Sequence, residues 1–291
     1  MLPYLKLMRP ANIITAFADI LAGAAIVAGG LMVFGNVDLY LLLIATAGLY
    51  GGGVVLNDYF DAELDKIERP ERPIPSGQVT KKQAFILGVS LYVVGITAAF
   101  FVNTVSGSLA VIIAILATLY DAKGKHLNWI GPLNMGLCRG FNLLLGMSVL
   151  PSVIFQNWYL LFIPVVYIAA ITSISKGEVS GSTRKPLYVA AFFYLIVIAA
   201  IAYLGWESEA NSLLASLVFV ALFAVFILPP LAKAIKEPSA KRIQAAVKVG
   251  IISLIVMNAA IAASSAGLFF GLVVLSLLPF SFLTGKLFPV T

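Results

Sequence analysis

The sequence predicts an all-α membrane protein, built as a bundle of nine or ten transmembrane helices. Of its 291 residues, 61% are hydrophobic and 11% are charged, whereas soluble domains carry about 25% charged residues. The apolar residues fall into runs close to the ~20 residues that a helix needs to cross the hydrocarbon layer. These runs lack the alternating polarity of a strand barrel. No polar stretch is long enough to fold alone, so a single membrane domain is expected over residues 1–291.

Ten apolar runs are expected to form the spans, with short polar connections between them. The first run follows a basic N-terminal segment and leads into further spans, which argues against a cleavable signal peptide. The last run is either a tenth crossing or a shallow tail on the membrane. The runs cover residues 11–34, 38–57, 83–103, 106–120, 130–150, 157–174, 187–205, 211–232, 243–265 and 267–285.

The distribution of charge sets the orientation of the bundle. If every run crosses, the basic residues of the connections fall on one side, and Lys286 joins them if the number of crossings is even. The positive-inside rule marks this side as cytoplasmic. We therefore expect a multi-pass protein of the cell inner membrane with a cytoplasmic loop at residues 58–82. The connections on this side lie near residues 58–82, 121–129, 175–186 and 233–242.

A cluster of acidic residues lies where the second predicted helix reaches the cytoplasmic side. At 100° per residue, Asn57, Asp58, Asp61 and Asp65 share a sector of about 100° on one helix face. Hard cations such as Mg²⁺ take oxygen ligands, usually one or two carboxylates together with substrate phosphates and waters. The cluster therefore predicts a Mg²⁺ site for a phosphorylated ligand. Charges that only solvate a cytoplasmic loop would give a similar pattern.

Basic side chains are expected to complete this site. Three prolines keep residues 69–77 out of a helix, so this segment is expected to form an ordered loop that brings Arg69 and Arg72 over the acids. Guanidinium groups suit phosphate oxygens. Lys123 and Lys125 follow the fourth predicted helix and supply ammonium groups on the same side, although both could serve the positive-inside bias alone.

Further polar residues lie within the predicted helices. Asn12 and Asp19 share one face of the first helix, and Asp19 is expected in the hydrocarbon region, where an ionisable group ordinarily faces a protein cavity. A structural hydrogen bond to a neighbouring helix is the alternative for Asp19. Arg139 and Asn142 lie one turn apart in the fifth helix. A buried arginine needs a partner, which is either an anionic ligand or an acid such as Asp19 or Asp121.

Together, these motifs resemble those of the UbiA family of membrane prenyltransferases. The resemblance is carried by Arg9-Pro10-x-Asn12, by the Asn-Asp-x-x-Asp-x-x-x-Asp pattern at residues 57–65 and by the proline-rich segment at residues 69–77. Its spacing fits from residue 1 to about residue 145. The resemblance implies helices around a central cavity that transfer a prenyl group from an allylic diphosphate to an acceptor, often aromatic. It also implies Mg²⁺ as the cofactor that holds the diphosphate.

The chain departs from the family pattern after the sixth helix. Residues 170–181 contain one acid, Glu178, where the family usually has several. The tyrosine–lysine signature after the fourth helix has Lys123 and Lys125 at a shifted spacing. This combination resembles the divergent EboC-like branch of the family. We hypothesise that fixed positive charge replaces part of the second metal site, supplied by Lys176, Arg184 and Lys185.

The resemblance assigns roles to the candidate residues. The expected metal ligands are Asn57, Asp58, Asp61, Asp65 and Glu178. The expected catalytic residues are Asp58, Asp61, Asp65 and Asp19. The expected substrate-binding residues are Asn12, Asn57, Arg69, Arg72, Lys123, Lys125, Arg139, Asn142 and Lys176.

The predicted function is therefore Mg²⁺-assisted transfer of an isoprenoid group to a small-molecule acceptor within the lipid bilayer. The alternative is a non-catalytic prenyl-lipid binder or transporter with a degenerate second metal site. Against a transporter, the sequence has no second copy of the acidic motif and no paired interrupted helices. The motif of a membrane alcohol phosphotransferase is also absent. The chain has one cysteine and one histidine, which excludes a thiolate or multi-histidine metal site. No nucleic-acid partner is expected, because no basic recognition element is present.

Overall fold

The structure, a computed structural model, describes residues 2–27, 34–124, 130–178, 181–208 and 213–287, except for the side chains of residues 286 and 287. Within these ranges the chain is almost entirely helical, in agreement with the predicted fold class. The elements are α1 (Leu2–Met8), α2 (Pro10–Val27), α3 (Val37–Phe60), α4 (Ala62–Glu68), α5 (Lys81–Val102), α6 (Thr104–Ala122), α7 (Ile130–Met147), α8 (Pro151–Asn157), a 3-10 turn (Trp158–Leu161), α9 (Phe162–Ser175), α10 (Arg184–Glu207), α11 (Leu213–Lys236), α12 (Ala240–Ala266), α13 (Leu268–Leu275) and α14 (Leu277–Leu287).

Ten segments of the described chain run from one end of the bundle to the other. Nine of these are long and apolar enough to cross a membrane. The tenth is α7, a more polar helix that packs against α2, α6 and α9. Its end returns to the start of α6, where Asn103 Nδ2 donates to the Ser148 carbonyl oxygen at 2.8 Å. Helix α7 is therefore antiparallel to α6 and completes a crossing.

The last segment crosses the bundle as a broken helix and is not a surface tail. It comprises α13 and α14, which are separated at Ser276. At one end, the rings of Phe269 and Phe34 lie 6.2 Å apart. At the other end, Ser281 Oγ donates to the Ala11 carbonyl oxygen at 3.5 Å. Because Ala11 starts α2 and Phe34 precedes α3, these two contacts lie at opposite ends of the bundle.

The connections predicted to share one side do meet at one end of the bundle, which we call the basic end. The predicted loop at residues 58–82 includes the short helix α4. Its neighbours are the N-terminal segment, which contacts it through Arg9 and Asp58, and the end of α6. The two later connections also touch, since the Ser182 amide donates to the Pro238 carbonyl oxygen at 3.2 Å.

Glycine allows the closest helix contacts in the bundle. A Cβ atom on Gly146 of α7 would lie 2.8 Å from the Ile20 Cα atom of α2, and one on Gly23 would lie 2.8 Å from the Gly146 Cα atom. Small residues let helix backbones approach in this way in membranes, where packing and hydrogen bonding drive association. The contact fixes α2 against α7, and these two helices carry Thr15, Asp19, Arg139 and Asn142 of the buried polar network described below.

We predict that Gly146→Ala destabilises the protein, although alanine is ordinarily the better helix former. The added methyl group must displace the backbone of α2, and overpacking of this kind costs about 1–3 kcal/mol. Thermal unfolding in detergent measures the effect. Gly35→Ala is the control, because a Cβ atom at Gly35 meets nothing within 4 Å. Equal unfolding temperatures for the two variants would contradict the prediction.

Candidate active site

The acidic segment begins at the end of α3 and continues into α4. The predicted single helix is interrupted at Asp61, which ends α3 and precedes α4. Helical hydrogen bonding nevertheless continues through the junction, since the Asp61 amide donates to Asn57 O at 2.9 Å and the Asp65 amide to Asp61 O at 2.8 Å. The spacing of a helix is thus retained, and the acidic side chains stay on neighbouring turns.

Two of the acids are bound by arginines. Arg72 Nη1 lies 2.7 Å from Asp65 Oδ2 and 3.2 Å from Asp58 Oδ1. Arg9 Nη2 lies 2.5 Å from the same Asp58 oxygen. Asp58, Asp65 and Arg72 are all buried, and burial of a charge is tolerated when a partner compensates it. We call Arg9, Asp58, Asp65 and Arg72 the ion-pair cluster; it pairs two carboxylates with two guanidinium groups.

The loop after α4 brings Arg72 over the acids, as predicted, but it does not bring Arg69. The backbone folds back on itself, with the Ser76 amide donating to Arg72 O at 3.0 Å and the Val79 amide to Pro73 O at 3.0 Å. The loop ends at Thr80, whose capping box begins α5. Arg69 ends α4 with its side chain exposed. The last residue of α4 is Glu68. Because Arg69 lies outside the helix, its side chain is not on the helix face that carries the acids.

Arg9 has an unusual backbone conformation. Its φ angle is 47°, in the left-handed region that non-glycine residues rarely occupy. This conformation ends α1 and starts α2 one residue later. The same residue forms the ion pair with Asp58, and strained backbone of this kind tends to occur at functional sites.

A cavity of about 450 Å³ lies between α2, α3, α6, α7, α9 and α12 and opens at the basic end. Its volume is within the range of small-molecule sites, about 300–1,000 Å³. The basic end of the cavity is polar and is lined by Arg9, Asn57, Tyr120, Asp121 and Glu178. The walls are apolar and include Ile113, Ala117, Ile168, Ile171, Val247, Ile251 and Leu254. Its lining thus combines a charged basic end with apolar side walls.

A buried polar network lies deeper in the bundle, beside the cavity. Arg139 Nη1 lies 2.8 Å from Asp19 Oδ2, and its Nη2 donates to Thr15 Oγ1 at 2.6 Å. The guanidinium carbon lies 4.9 Å from the centre of the Tyr50 ring, which is a cation–π distance. The sequence left three partners open for Arg139: an anionic ligand, Asp19 or Asp121. In the structure Arg139 pairs with Asp19.

Asp19 is fully buried and accepts hydrogen bonds from two asparagines. Asn142 Nδ2 lies 3.0 Å from Asp19 Oδ2, and Asn258 Nδ2 lies 2.7 Å from Asp19 Oδ1. Asn142 Oδ1 in turn accepts from Thr46 Oγ1 at 2.7 Å. Asn142 and Arg139 line the cavity, whereas Asp19 stands behind them. Its position makes Asp19 an anchor for side chains that a ligand can reach.

Sequence reasoning considered Asp121 only as a possible partner of Arg139, and it missed Asn258. Asp121 lines the cavity, and its Oδ1 accepts a hydrogen bond from Asn57 Nδ2 at 2.9 Å. The sequence signal that points to Asp121 is its position directly after the fourth apolar run, at residues 106–120. Asn258 was missed because it stands as a single amide in an otherwise apolar helix, a pattern that many helices share.

The segment after α9 contributes Glu178 to the cavity. Gln244 Nε2 of α12 holds this segment by donating to the Glu178 carbonyl oxygen at 2.9 Å. Burial raises the pKa of the Glu178 carboxyl above its ordinary value, while the charge of Lys248 works in the opposite direction.

The other predicted basic residues lie at the basic end without lining the cavity. Lys123 follows α6, Lys176 follows α9, and both have exposed side chains. Arg184 and Lys185 begin α10 and are also exposed. Lys125 lies outside the described residues.

The five predicted metal ligands do not form a ready-made cage. Among the described residues, no three aspartate, glutamate, histidine or cysteine side chains form a group that could hold a metal ion. The reason is that arginines already engage the carboxylates of Asp58 and Asp65. Asn57, Asp61 and Asp121 are further oxygen-bearing side chains on the adjoining helix ends, where Asn57 and Asp121 are hydrogen-bonded to each other. Such a set fits Mg²⁺, which takes one or two carboxylates and completes its octahedron with phosphate oxygens and waters.

The sequence matches a known family model and known proteins. The model of the UbiA prenyltransferase family matches residues 16–177, which is more than half of the chain. The digeranylgeranylglyceryl phosphate synthase of Methanosarcina mazei is 35% identical over 158 residues, which are 50% of this chain and 54% of that protein. The chain therefore spans about half the length of this relative.

Solved structures share the fold. A structure concerned with digeranylgeranylglyceryl phosphate synthase in membranes has a TM-score of 0.66 at 24% identity and covers 91% of this chain and 98% of its own. A UbiA homolog from Archaeoglobus fulgidus, bound to GPP and Mg²⁺, has a TM-score of 0.64 at 13% identity and covers 89% of this chain and 99% of its own. At these identities the likeness is one of fold alone.

We predict that Asp19→Asn strongly destabilises the protein, because it leaves the Arg139 guanidinium buried without a counter-charge. Removing one partner of a buried ion pair costs about 3–5 kcal/mol. The measurement is thermal unfolding in detergent. Glu63→Gln is the control, since Glu63 belongs to an exposed pair with Lys66, and it should leave the unfolding temperature unchanged. An Asp19→Asn protein as stable as this control would rule out the anchoring role.

Proposed function

Because the chain belongs to the UbiA prenyltransferase family, we propose that it transfers an isoprenoid group from an allylic diphosphate to an acceptor within the membrane. The observation that carries the proposal is the cavity whose lining is charged at the basic end, with apolar side walls beyond it and a polar network at depth. This arrangement matches a diphosphate with an isoprenoid tail. In support, the reported relative is named a digeranylgeranylglyceryl phosphate synthase, and a protein of the same fold has been solved with GPP and Mg²⁺.

The diphosphate would bind at the basic end of the cavity. Asn57, Asp61 and Asp121 would hold a Mg²⁺ ion on it, which neutralises charge on the leaving group. Arg9 lines this end of the cavity, and Arg72 lies next to it in the ion-pair cluster. Each arginine can exchange a carboxylate oxygen for a phosphate oxygen without losing a charged partner. Fixed positive charge beside the departing diphosphate stabilises the charge that grows as the C–O bond breaks.

The isoprenoid tail would lie along the apolar walls. Ile113, Ile171 and Ile251 belong to three different helices of these walls, so the tail would be enclosed by α6, α9 and α12. An enclosed tail keeps water from the allylic cation, which water would otherwise quench. The rings of Tyr50 and Tyr120 also line the cavity, and their faces can stabilise the cation.

The acceptor would lie between the basic end, where the C–O bond breaks, and the polar network deeper in the cavity, with its reacting oxygen turned toward Glu178 at the basic end. Asn12 and Arg139 line the cavity there and can donate N–H groups to it, whereas the amide of Asn142 already donates to the Ala16 carbonyl and to Asp19. A hydroxyl or phenolic oxygen suits these donors. Asp19 would contribute by holding Arg139 and Asn142 in place, rather than by touching the acceptor. Glu178, which lines the cavity, is the proposed base for the acceptor's proton, because a raised pKa makes its carboxylate a better proton acceptor.

We place the basic end at the cytoplasmic side of the cell inner membrane, following the positive-inside rule. The substrate would then enter from the cytoplasm or the inner leaflet. The EboC-like branch stays a hypothesis about the sparse second motif, since the relative reported above carries another name.

The second candidate function is a prenyl-lipid binder without catalysis. It is favoured by one observation: Glu178 stands alone in the second motif, while arginines engage Asp58 and Asp65. A binder would retain the diphosphate intact, whereas a transferase would release it. The assay below separates the two functions by following both the isoprenoid and the diphosphate.

We predict that Asp61→Asn lowers prenyl transfer by about 100-fold or more, which is the usual loss when one charge-stabilising group is removed. The assay uses the purified full chain, radiolabelled geranylgeranyl diphosphate, Mg²⁺ and acceptors that include a geranylgeranylated glyceryl phosphate and a hydroxybenzoate. Glu63→Gln provides the matched control, because it removes an exposed carboxylate two residues away. Full activity of Asp61→Asn would exclude this residue from the site. Binding without diphosphate release by the wild-type protein, with every acceptor, would favour the binder.

We predict that transfer falls as the pH drops through the raised pKa of Glu178, because the protonated carboxyl cannot accept the acceptor's proton. This loss should occur above pH 4.5, the ordinary carboxyl value. In Glu178→Gln the rate should be low and this pH dependence should be absent. The pH profile of kcat/KM measures both effects. If kcat/KM of the variant falls at low pH as it does in the wild-type protein, the base is another residue.

A further inference from the structure

A second cavity lies between α11 and α12 at the basic end. Its volume is about 450 Å³, and its lining includes Val225, Phe226, Lys233, Arg242 and Ala245. No residue lines both this cavity and the candidate active site. Helix α12 turns one face to each of them, so the two cavities are separate. We call the second cavity the basic groove.

The basic groove combines an apolar wall with positive charge. Val225 is 67% exposed, which places it on the lipid-facing surface of a transmembrane helix. Lys233 lies two turns further toward the basic end, and Arg242 faces it from the first turn of α12. The apolar groups of the groove thus lie at the depth of the acyl chains of a phospholipid. The two cations lie at the depth of its phosphate.

The charge near the groove is strongly one-sided. The segment from Lys233 to Arg242 contains four basic residues and one acid, Glu237. Arg242 Nε lies 3.5 Å from Glu237 Oε2, with side chains 50% and 65% exposed. Exposed pairs of this kind contribute little, so the guanidinium can turn to another anion. Among the described residues, no carboxylate lies within 4.0 Å of the Lys233 ammonium group.

Two prolines alter the backbone of the groove wall. Pro229 and Pro230 lie inside α11 and have no N–H group. The carbonyls of Val225 and Phe226, four residues earlier, therefore lack their helical donors. At membrane depth an unsatisfied carbonyl needs another partner. Both carbonyls belong to residues that line the groove.

We propose that the basic groove binds an anionic phospholipid from the membrane leaflet at the basic end. The phosphate lies between Lys233 and Arg242, and one acyl chain lies along Val225 and Phe226. Ammonium and guanidinium groups suit phosphate oxygens, and basic pockets between helices at this depth bind lipid headgroups. The occupant is a lipid because a soluble phosphate would leave the apolar wall uncovered. The proposal is independent of the transfer reaction.

The test compares two double variants that remove equal charge from the same segment. Lys233→Gln with Arg242→Gln removes both cations of the groove, whereas Lys236→Gln with Lys241→Gln removes two cations that do not line it. The full chain is placed in phosphatidylcholine nanodiscs with increasing phosphatidylglycerol, and bound lipid is counted by native mass spectrometry. We expect at least tenfold weaker phosphatidylglycerol binding in the groove variant and wild-type binding in the control.

A third variant, Ala245→Trp, fills the groove without changing charge and should also weaken binding. Equal losses in the two charge variants would overturn the proposal, since binding would then follow surface charge. Wild-type binding in the groove variant or in Ala245→Trp would also overturn it. A final arm adds inorganic phosphate to the protein in phosphatidylcholine alone. Thermal stabilisation by phosphate that equals that by phosphatidylglycerol would overturn the assignment to a lipid.

Discussion

The structure depends on the pairing of charges inside an apolar bundle. An isolated charge at membrane depth costs several kcal/mol, so each buried ionisable group must bring a partner with it. Arg139 of α7 therefore pairs with Asp19 of α2, and the same carboxylate is hydrogen-bonded from α12 through Asn258. One buried carboxylate thus ties together three helices that lie far apart in sequence, and it fixes the side chains that border the cavity.

The same constraint shapes the entrance to the cavity. Arg9, Asp58, Asp65 and Arg72 balance one another, so the ion-pair cluster itself carries no net charge. The charges of this cluster are already largely buried and paired. Pairing them with a bound anion therefore costs less free energy than removing an exposed cation from water. The left-handed backbone of Arg9 brings the N-terminal helix into this cluster. The short helix α1 consequently packs over the end of α3, where Leu7 and Val55 share a small apolar core.

Close helix packing and polar pairing support each other. The glycines between α2 and α7 allow a backbone approach that larger residues would prevent, and this approach brings Thr15 and Asp19 within reach of Arg139. On the other face of α12, a groove borders α11 at its two prolines. Close helix packing therefore lies beside the candidate active site, and the groove lies apart from it.

The sequence by itself determined nine or ten apolar spans, the shared basic end, the helical spacing of the acidic segment and the return of Arg72 over it. These follow from apolar run length, charge bias and proline positions, which can be determined along the chain without knowing how the helices pack. The tertiary structure alone decided that Arg9 and Arg72 engage Asp58 and Asp65, that Arg69 points to solvent, and that Asp121 joins the cavity. It also chose Asp19 as the partner of Arg139. Asn258 lies 239 residues from Asp19, and which side chains meet over such separations depends on how whole helices pack.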